Sequence, residues 1–192
     1  MTFEDLVRRW RTRGFTGFTE EYGGPLLIPL APWDRPSAGQ HTISVGRQGL
    51  GAVGPRLEDD EDPTASGVSM LELVHSALGG RMPAPGAQVL VAIATRRGGA
   101  GVSIGRSAQN DVVIDQESVS RFHATLRGGG ISWSIEDARS RNGTLRNGVP
   151  VGTGRGTPLR VGDVLTFGEA ACLYCPVDPV AIDSVLAAFR AA

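Results

Sequence analysis

Residues 117–126 read ESVSRFHATL. A polar cluster, Ser120-Arg121-Phe122-His123, ends where a strand-like run begins. The same texture continues on both sides. Upstream lie QVLVAIAT (88–95), GVSIGR (101–106) and NDVVID (110–115). Downstream lie ISWSIED (131–137), GTLRNG (143–148), TPLRVGDVLTFG (157–168) and ACLYCPV (171–177). Short alternating runs separated by turn residues are the pattern of an antiparallel sandwich or barrel. The 27 glycines agree with many tight turns.

Outside this region the patterns change. Phe3, Leu6, Val7 and Trp10 share one helical face after Thr2, and Gly14 is placed to stop that helix. Arg8, Arg9, Arg11 and Arg13 occupy its remainder and read as a solvated face. GGPLLIPLAPWDRPSAG (23–39) is apolar but broken by Pro25, Pro29, Pro32 and Pro36, so extended pieces or a packed loop are expected. HTISVGRQG (41–49) reads as a short strand ending in a turn. LEDDEDPTASG (57–67) is acidic and Pro-punctuated, as linkers are. Ser69 and Glu72 then match a capping box, with Leu71, Val74 and Leu78 on one face and Gly79 closing the helix. Asp178 and Pro179 open a final helix with Ile182, Val185, Leu186 and Phe189 in one stripe.

These patterns divide the chain into an N-terminal appendage of unassigned role (1–57), an acidic linker with a short helix and a Pro-rich link (58–85), a β-sandwich (86–177) and a C-terminal helix (178–192). The fold class is mainly β, with a small α/β appendage at the N-terminus. ISVGR (43–47) echoes VSIGR (102–106), but no Ser-Arg-x-His or Asn-Gly signal follows Arg47, so a duplicated domain is not expected.

The 192 residues are enough for one well-cored domain with an appendage. A formal net charge of -1 argues against a nucleic-acid binder. All 19 basic residues are Arg, and with no Lys there is no phosphate-loop lysine. The charged start is unlike a secretory signal, and no apolar run reaches the ~18 residues of a membrane span. Two cysteines make no disulfide framework, so a reducing, cytoplasmic setting is expected.

Three polar clusters fall at strand ends: Gly105-Arg106, Ser120 to His123, and DARSRNGTLRNG (137–148). Sandwich loops of this kind gather on a rim. Together they offer guanidinium groups, a hydroxyl, a carboxamide and turn amides, a donor set suited to a phosphate dianion. GRSAQNDVVI (105–114), VSRFHATL (119–126), DARSRNGTLRNG (137–148) and LRVGDVLTFG (159–168), in this order, resemble a forkhead-associated (FHA) domain over about residues 86–177.

The resemblance implies a β-sandwich that recognises phosphothreonine in partner proteins. It implies that Arg106 pairs with the phosphate and that the Ser120 hydroxyl donates to it. Arg121 would support phosphate or peptide, the Arg141 backbone N–H would help hold the phosphate, and Asn142 would bond the peptide main chain. Gly105, His123, Gly143, Asn147 and Gly148 match residues that shape the loops. Glu117 and Ser118 sit near where family members read residues C-terminal to the phosphothreonine, although a solvated carboxylate is the commoner use of Glu117. The expected partner is a threonine-phosphorylated protein, a Ser/Thr kinase or its substrate, bound by a non-catalytic adaptor.

Other sites read as structural. Cys172 and Cys175 have metal or redox spacing, but positions three apart on a strand point to opposite faces. No second ligand pair accompanies them, so no metal and no cofactor are expected. Asp163 reads as a turn residue. Ser120 and His123 do not require a nucleophile–base reading, because no carboxylate is evidently placed to orient the imidazole. Two alternatives remain open: an FHA scaffold that binds without phosphate, and an enzyme whose site assembles from residues such as Asp34, His41 and His75.

Overall fold

The computed structural model describes residues 1–21, 24–31, 69–84, 86, 88–92, 101–129 and 131–191. The acidic run Glu58–Asp62, the expected strand at 41–49, Asp34 and His41 lie outside the described residues.

Among the described residues, eleven strands form two sheets. The five-stranded sheet has the order β4 (Val112–Val113), β3 (Val102–Gly105), β5 (Ala124–Gly129), β6 (Ser132–Asp137), β9 (Thr157–Pro158). The six-stranded sheet has the order β2 (Leu90–Val91), β1 (Leu26–Pro29), β11 (Ala170–Cys175), β10 (Val164–Phe167), β7 (Thr144–Arg146), β8 (Val149–Pro150). Pairing is antiparallel except between β3 and β4, where Ile104 faces Val112 in parallel. The arrangement is the sandwich that the alternating runs predict.

One strand comes from the segment expected to be an appendage. Leu26 pairs with Cys175 and Pro29 with Cys172, while Leu26 also pairs with Val91. The sheet thus extends across the boundary drawn at residue 57. Leu26 and Ile28 pack in one core and Leu27 in another. A strand buried on both faces reads as a continuous apolar run, without the period-2 signal of a half-exposed strand.

Among the described residues, three helices cover the outer face of the six-stranded sheet: α1 (Phe3–Glu21), α2 (Met70–Leu78) and α3 (Pro179–Ala191). Leu6, Trp10, Phe18, Val74, Leu78, Ile182, Val185 and Phe189 pack there on Ile28, Leu173 and Cys175. The second core lies between the sheets, where Ile104, Leu126, Ile135, Leu165, Phe167 and Tyr174 meet. Alternation along β11 therefore sends Cys172 into the inter-sheet core and Cys175 into the helix-facing core. Burial pushes both thiols well above their ordinary range.

Local signals account for the helix ends. In α1 Gly14 takes φ 64°, but it kinks the helix instead of ending it, and helical structure resumes to Glu21. Trp10 stacks edge-on against Phe18 at 5.4 Å, and its indole N–H donates to Asp183 of α3 at 2.8 Å. Ser69 and Glu72 form the reciprocal capping box, and Gly79 closes α2 in the left-handed conformation. Val74 and Leu78 are buried, whereas Leu71 stays 40% exposed at the edge of the apolar stripe. The Asp178 carboxylate caps α3 by accepting the Ala181 N–H at 3.0 Å.

Candidate functional site

The loops β3–β4 (106–111), β4–β5 (114–123) and β6–β7 (138–143) meet at one end of the sandwich, beside the β10–β11 turn at Gly168-Glu169. The Arg106 N–H donates to the Ser120 carbonyl at 2.9 Å, and the Ser107 N–H to the Arg121 carbonyl at 3.2 Å. The backbone carrying Arg106 therefore runs beside the backbone carrying Ser120 and Arg121. Gly105 makes this possible, since a Cβ there would lie 2.4 Å from the Arg121 carbonyl oxygen.

The third loop joins through side chains. The Arg141 N–H donates to Ser120 Oγ at 2.9 Å, and Asn142 Nδ2 donates to the Ser118 carbonyl at 2.7 Å. The five residues singled out from the sequence thus stand in adjoining positions. Arg106, Arg121, Arg141 and Asn142 are exposed, and Ser120 is half-buried. Because the Ser120 oxygen accepts from Arg141, its hydroxyl proton is left to donate outward. A phosphate held by the Arg141 N–H would have to displace that bond. Among the described residues, neither Arg106 nor Arg121 has an acidic partner within ion-pair distance.

His123 is fully buried beneath these loops. Its Nδ1 accepts the Ser120 N–H at 2.9 Å, and its Nε2 is 3.0 Å from the Gly143 carbonyl. An amide donor on Nδ1 and a carbonyl acceptor beside Nε2 fix the neutral tautomer with the proton on Nε2. Burial holds the imidazole below its ordinary pKa of 6.5, against the opposing pull of the Gly143 carbonyl and Asp137. The ring thus bonds the serine backbone and leaves the hydroxyl alone, which is a poor arrangement for a nucleophile and base. Its edge meets the Phe167 ring at 5.8 Å.

Several supports carried no evident sequence signal. Asp137 takes Ser140 Oγ and Thr144 Oγ1 on one oxygen, each at 2.7 Å, and the Ser140 N–H on the other at 2.9 Å. Burial pushes this carboxyl up, but the Thr144 and Ser140 hydrogen bonds and nearby His123 outweigh it and hold it below the ordinary range. The Asp-x-x-Ser spacing, which lets a short carboxylate reach the N–H and hydroxyl three residues on, was the one available clue. Ser118 Oγ accepts the Glu169 N–H at 3.1 Å, and its carbonyl lies 2.4 Å from where a Gly168 Cβ would sit.

Other motif residues lie elsewhere. Asn147 and Gly148 have φ 50° and 78°, which a type I′ turn between β7 and β8 requires. Asp163 ties this far end together, accepting from Arg146 Nε at 2.9 Å, Asn147 Nδ2 at 2.7 Å and the Arg160 N–H at 2.7 Å. His75 is exposed on α2, away from the loop cluster. Among the described residues, no group of three or more His, Cys, Asp or Glu side chains could hold a metal ion, and no helix is long and apolar enough to cross a membrane.

Known proteins match the same part of the chain. The family model for the FHA domain matches residues 102–168. The ABC transporter ATP-binding/permease protein Rv1747 of Mycobacterium tuberculosis is 41% identical over 73 residues, 38% of this chain and 8% of that protein. The transcriptional regulatory protein EmbR of M. tuberculosis is 37% identical over 84 residues, 44% of this chain and 19% of that protein. A structure of M. tuberculosis EmbR in complex with a low-affinity phosphopeptide superposes with a TM-score of 0.35 at 31% identity, covering 39% of this chain and 19% of that one. The chain thus spans less than a fifth of the length of these relatives. With the motif order and the two sheets in agreement, it is residues 102–168 that match the forkhead-associated domain family.

Proposed function

We propose that this domain is a non-catalytic adaptor that binds a phosphothreonine peptide of a partner protein. One observation carries the reading. The bonds Arg106 N–H to Ser120 carbonyl and Arg141 N–H to Ser120 Oγ, both 2.9 Å, bring the backbones that carry the Arg106 guanidinium, the Ser120 hydroxyl and the Asn142 carboxamide together on one exposed rim. A phosphate carries about −1.5 to −2 charges and three strong acceptor oxygens. Arg106 supplies charge-assisted bonds to it, Ser120 donates its hydroxyl proton, and Arg121 adds positive charge alongside. Arg141 contributes its backbone N–H after exchange with Ser120. Asn142, anchored through Nδ2, keeps its carbonyl oxygen for a peptide N–H.

Among the described residues, His123 is the histidine at this rim, and it is not placed to move a proton to or from Ser120, because both its nitrogens are occupied by backbone groups. Binding is therefore reversible and set by the phosphorylation state of the partner, a Ser/Thr kinase or one of its substrates. Threonine over serine is favoured by about 1 kcal/mol if the γ-methyl is buried beside the phosphate.

The test is capture of partners from a lysate by the wild-type chain and by Arg106→Ala, with and without prior phosphatase treatment. Capture by wild type that phosphatase or Arg106→Ala abolishes supports the reading. Equal capture in all arms replaces it with a phosphorylation-independent scaffold.

A further inference from the structure

We propose that Asn110 is a positioning residue of this site, acting through Arg106 and Ser120. The inference rests on the phosphothreonine reading above and concerns how two of its loops are held in register.

Two peptide carbonyls from different loops, Ser107 and Arg121, point at the same spot. Each already takes one backbone N–H, the Arg121 carbonyl from Ser107 at 3.2 Å and the Ser107 carbonyl from Asn110 at 3.1 Å, and each has a second lone pair to offer. The Asn110 side chain donates to both: Nδ2 is 2.8 Å from the Ser107 carbonyl oxygen and 2.6 Å from the Arg121 carbonyl oxygen. The orientation of the amide follows, since the reverse would set its oxygen against two others. Asn110 is only 8% exposed, and its Oδ1 accepts no hydrogen bond among the described residues. The side chain therefore works as a donor only.

Space around the amide is closed. A Cβ on Gly105 would fall 2.9 Å from Asn110 Nδ2 and 2.4 Å from the Arg121 carbonyl oxygen. Arg106 lies between Gly105 and Ser107, and Ser120 directly precedes Arg121. The clamp thus brackets Arg106 on its own loop and seats the backbone next to Ser120 on the other. Together with the backbone bonds from Arg106 to Ser120 and from Ser107 to Arg121, it sets the distance between the guanidinium stem and the hydroxyl while remaining buried behind them. Asp would keep the shape but bring oxygen to both carbonyls. Ser and Ala are too short to reach both.

The full chain carrying Asn110→Ala, and separately Asn110→Ser, is titrated at 10 °C with a peptide pool degenerate except for one central phosphothreonine, and with the unphosphorylated pool. Thermal unfolding of each variant is recorded alongside. Misplacing the two loops is expected to weaken phosphopeptide binding by about tenfold, equivalent to ~1.4 kcal/mol. Added to Arg106→Lys, Asn110→Ala is expected to weaken binding further by no more than about twofold, as coupled neighbours do. A lowered melting temperature with unchanged affinity in the folded variants overturns the proposal, as does a full tenfold loss on top of Arg106→Lys. If the wild type does not distinguish the two pools, the phosphothreonine reading fails by itself. The clamp is then read from amide hydrogen exchange at Arg106 and Ser107. Exchange about tenfold faster in the Asn110 variants supports it, and unchanged exchange rejects it.

Discussion

Replacing His123 by Ala tests whether one buried ring holds the site loops together. The imidazole takes the Ser120 N–H at 2.9 Å and bonds the Gly143 carbonyl at 3.0 Å, so its loss orphans the Ser120 donor, while the Gly143 carbonyl keeps the Gly168 N–H at 3.2 Å. A buried orphan costs about 1–3 kcal/mol, and the lost second bond and vacated ring space add to this. Water entering from the nearby rim satisfies part of what is lost, which brings the expected cost to about 2–4 kcal/mol. For a chain of this size each kcal/mol moves the midpoint by about 2–4 °C, so a fall of roughly 5–15 °C is expected. Scanning calorimetry on wild type and His123→Ala measures it, with phosphopeptide affinity followed at low temperature. A midpoint within about 2 °C of wild type would show that His123 does not hold these loops, and the argument from its two bonds would be wrong.

Protonation should mimic part of that change. Burial lowers the His123 pKa in the folded state, so the unfolded chain binds a proton first as pH falls below 6.5. Stability from this group is complete above that pH and declines as pH falls towards the folded value. Urea midpoints at pH 7.5, 6.5 and 5.5 should therefore decrease, and an equal decrease in His123→Ala would assign the slope to other groups. Gly105→Ala places a methyl 2.4 Å from the Arg121 carbonyl oxygen, so the two loops must separate. A loss of about 1–3 kcal/mol together with weakened phosphopeptide binding is expected, and calorimetry showing neither would contradict the close approach. Tyr174→Phe removes a buried hydroxyl that has no hydrogen-bond partner among the described residues. Urea unfolding should show stability unchanged within about 0.5 kcal/mol or raised, and a loss above ~1.5 kcal/mol would mean that the hydroxyl is bonded after all.

The sandwich was legible because each half-buried strand alternates, as β5 does with Ala124 and Leu126 inward and Thr125 and Arg127 outward. The candidate site was legible because Arg106, Ser120 and Asn142 interrupt apolar runs at strand ends. The role of β1 was harder to see. Its partner Cys175 is 149 positions from Leu26, and burial on both faces erased its alternation. The supports of the site were hidden for a related reason. Asn110 bonds the Arg121 carbonyl, Ser118 Oγ accepts the Glu169 N–H and Gly168 lets the Ser118 carbonyl approach, and neither residue type nor spacing reveals which backbone group of another segment a residue will meet. Gly14 shows the limit of a local signal: its left-handed conformation was foreseeable, but resumption of the helix depended on Phe18 finding Trp10 and the helix-facing core.

The central claim is that Arg106, Ser120 and Asn142 together hold one phosphate-bearing threonine. Isothermal titration of the wild-type chain with a phosphothreonine peptide captured from the lysate, with its unphosphorylated form and with its Asp-substituted form, tests this most directly when repeated on Arg106→Ala. The account predicts saturable binding of the phosphopeptide alone by wild type and loss of that binding in a folded Arg106→Ala variant. Equal affinity for the phosphorylated and unphosphorylated peptides, or undiminished affinity in Arg106→Ala, would contradict it.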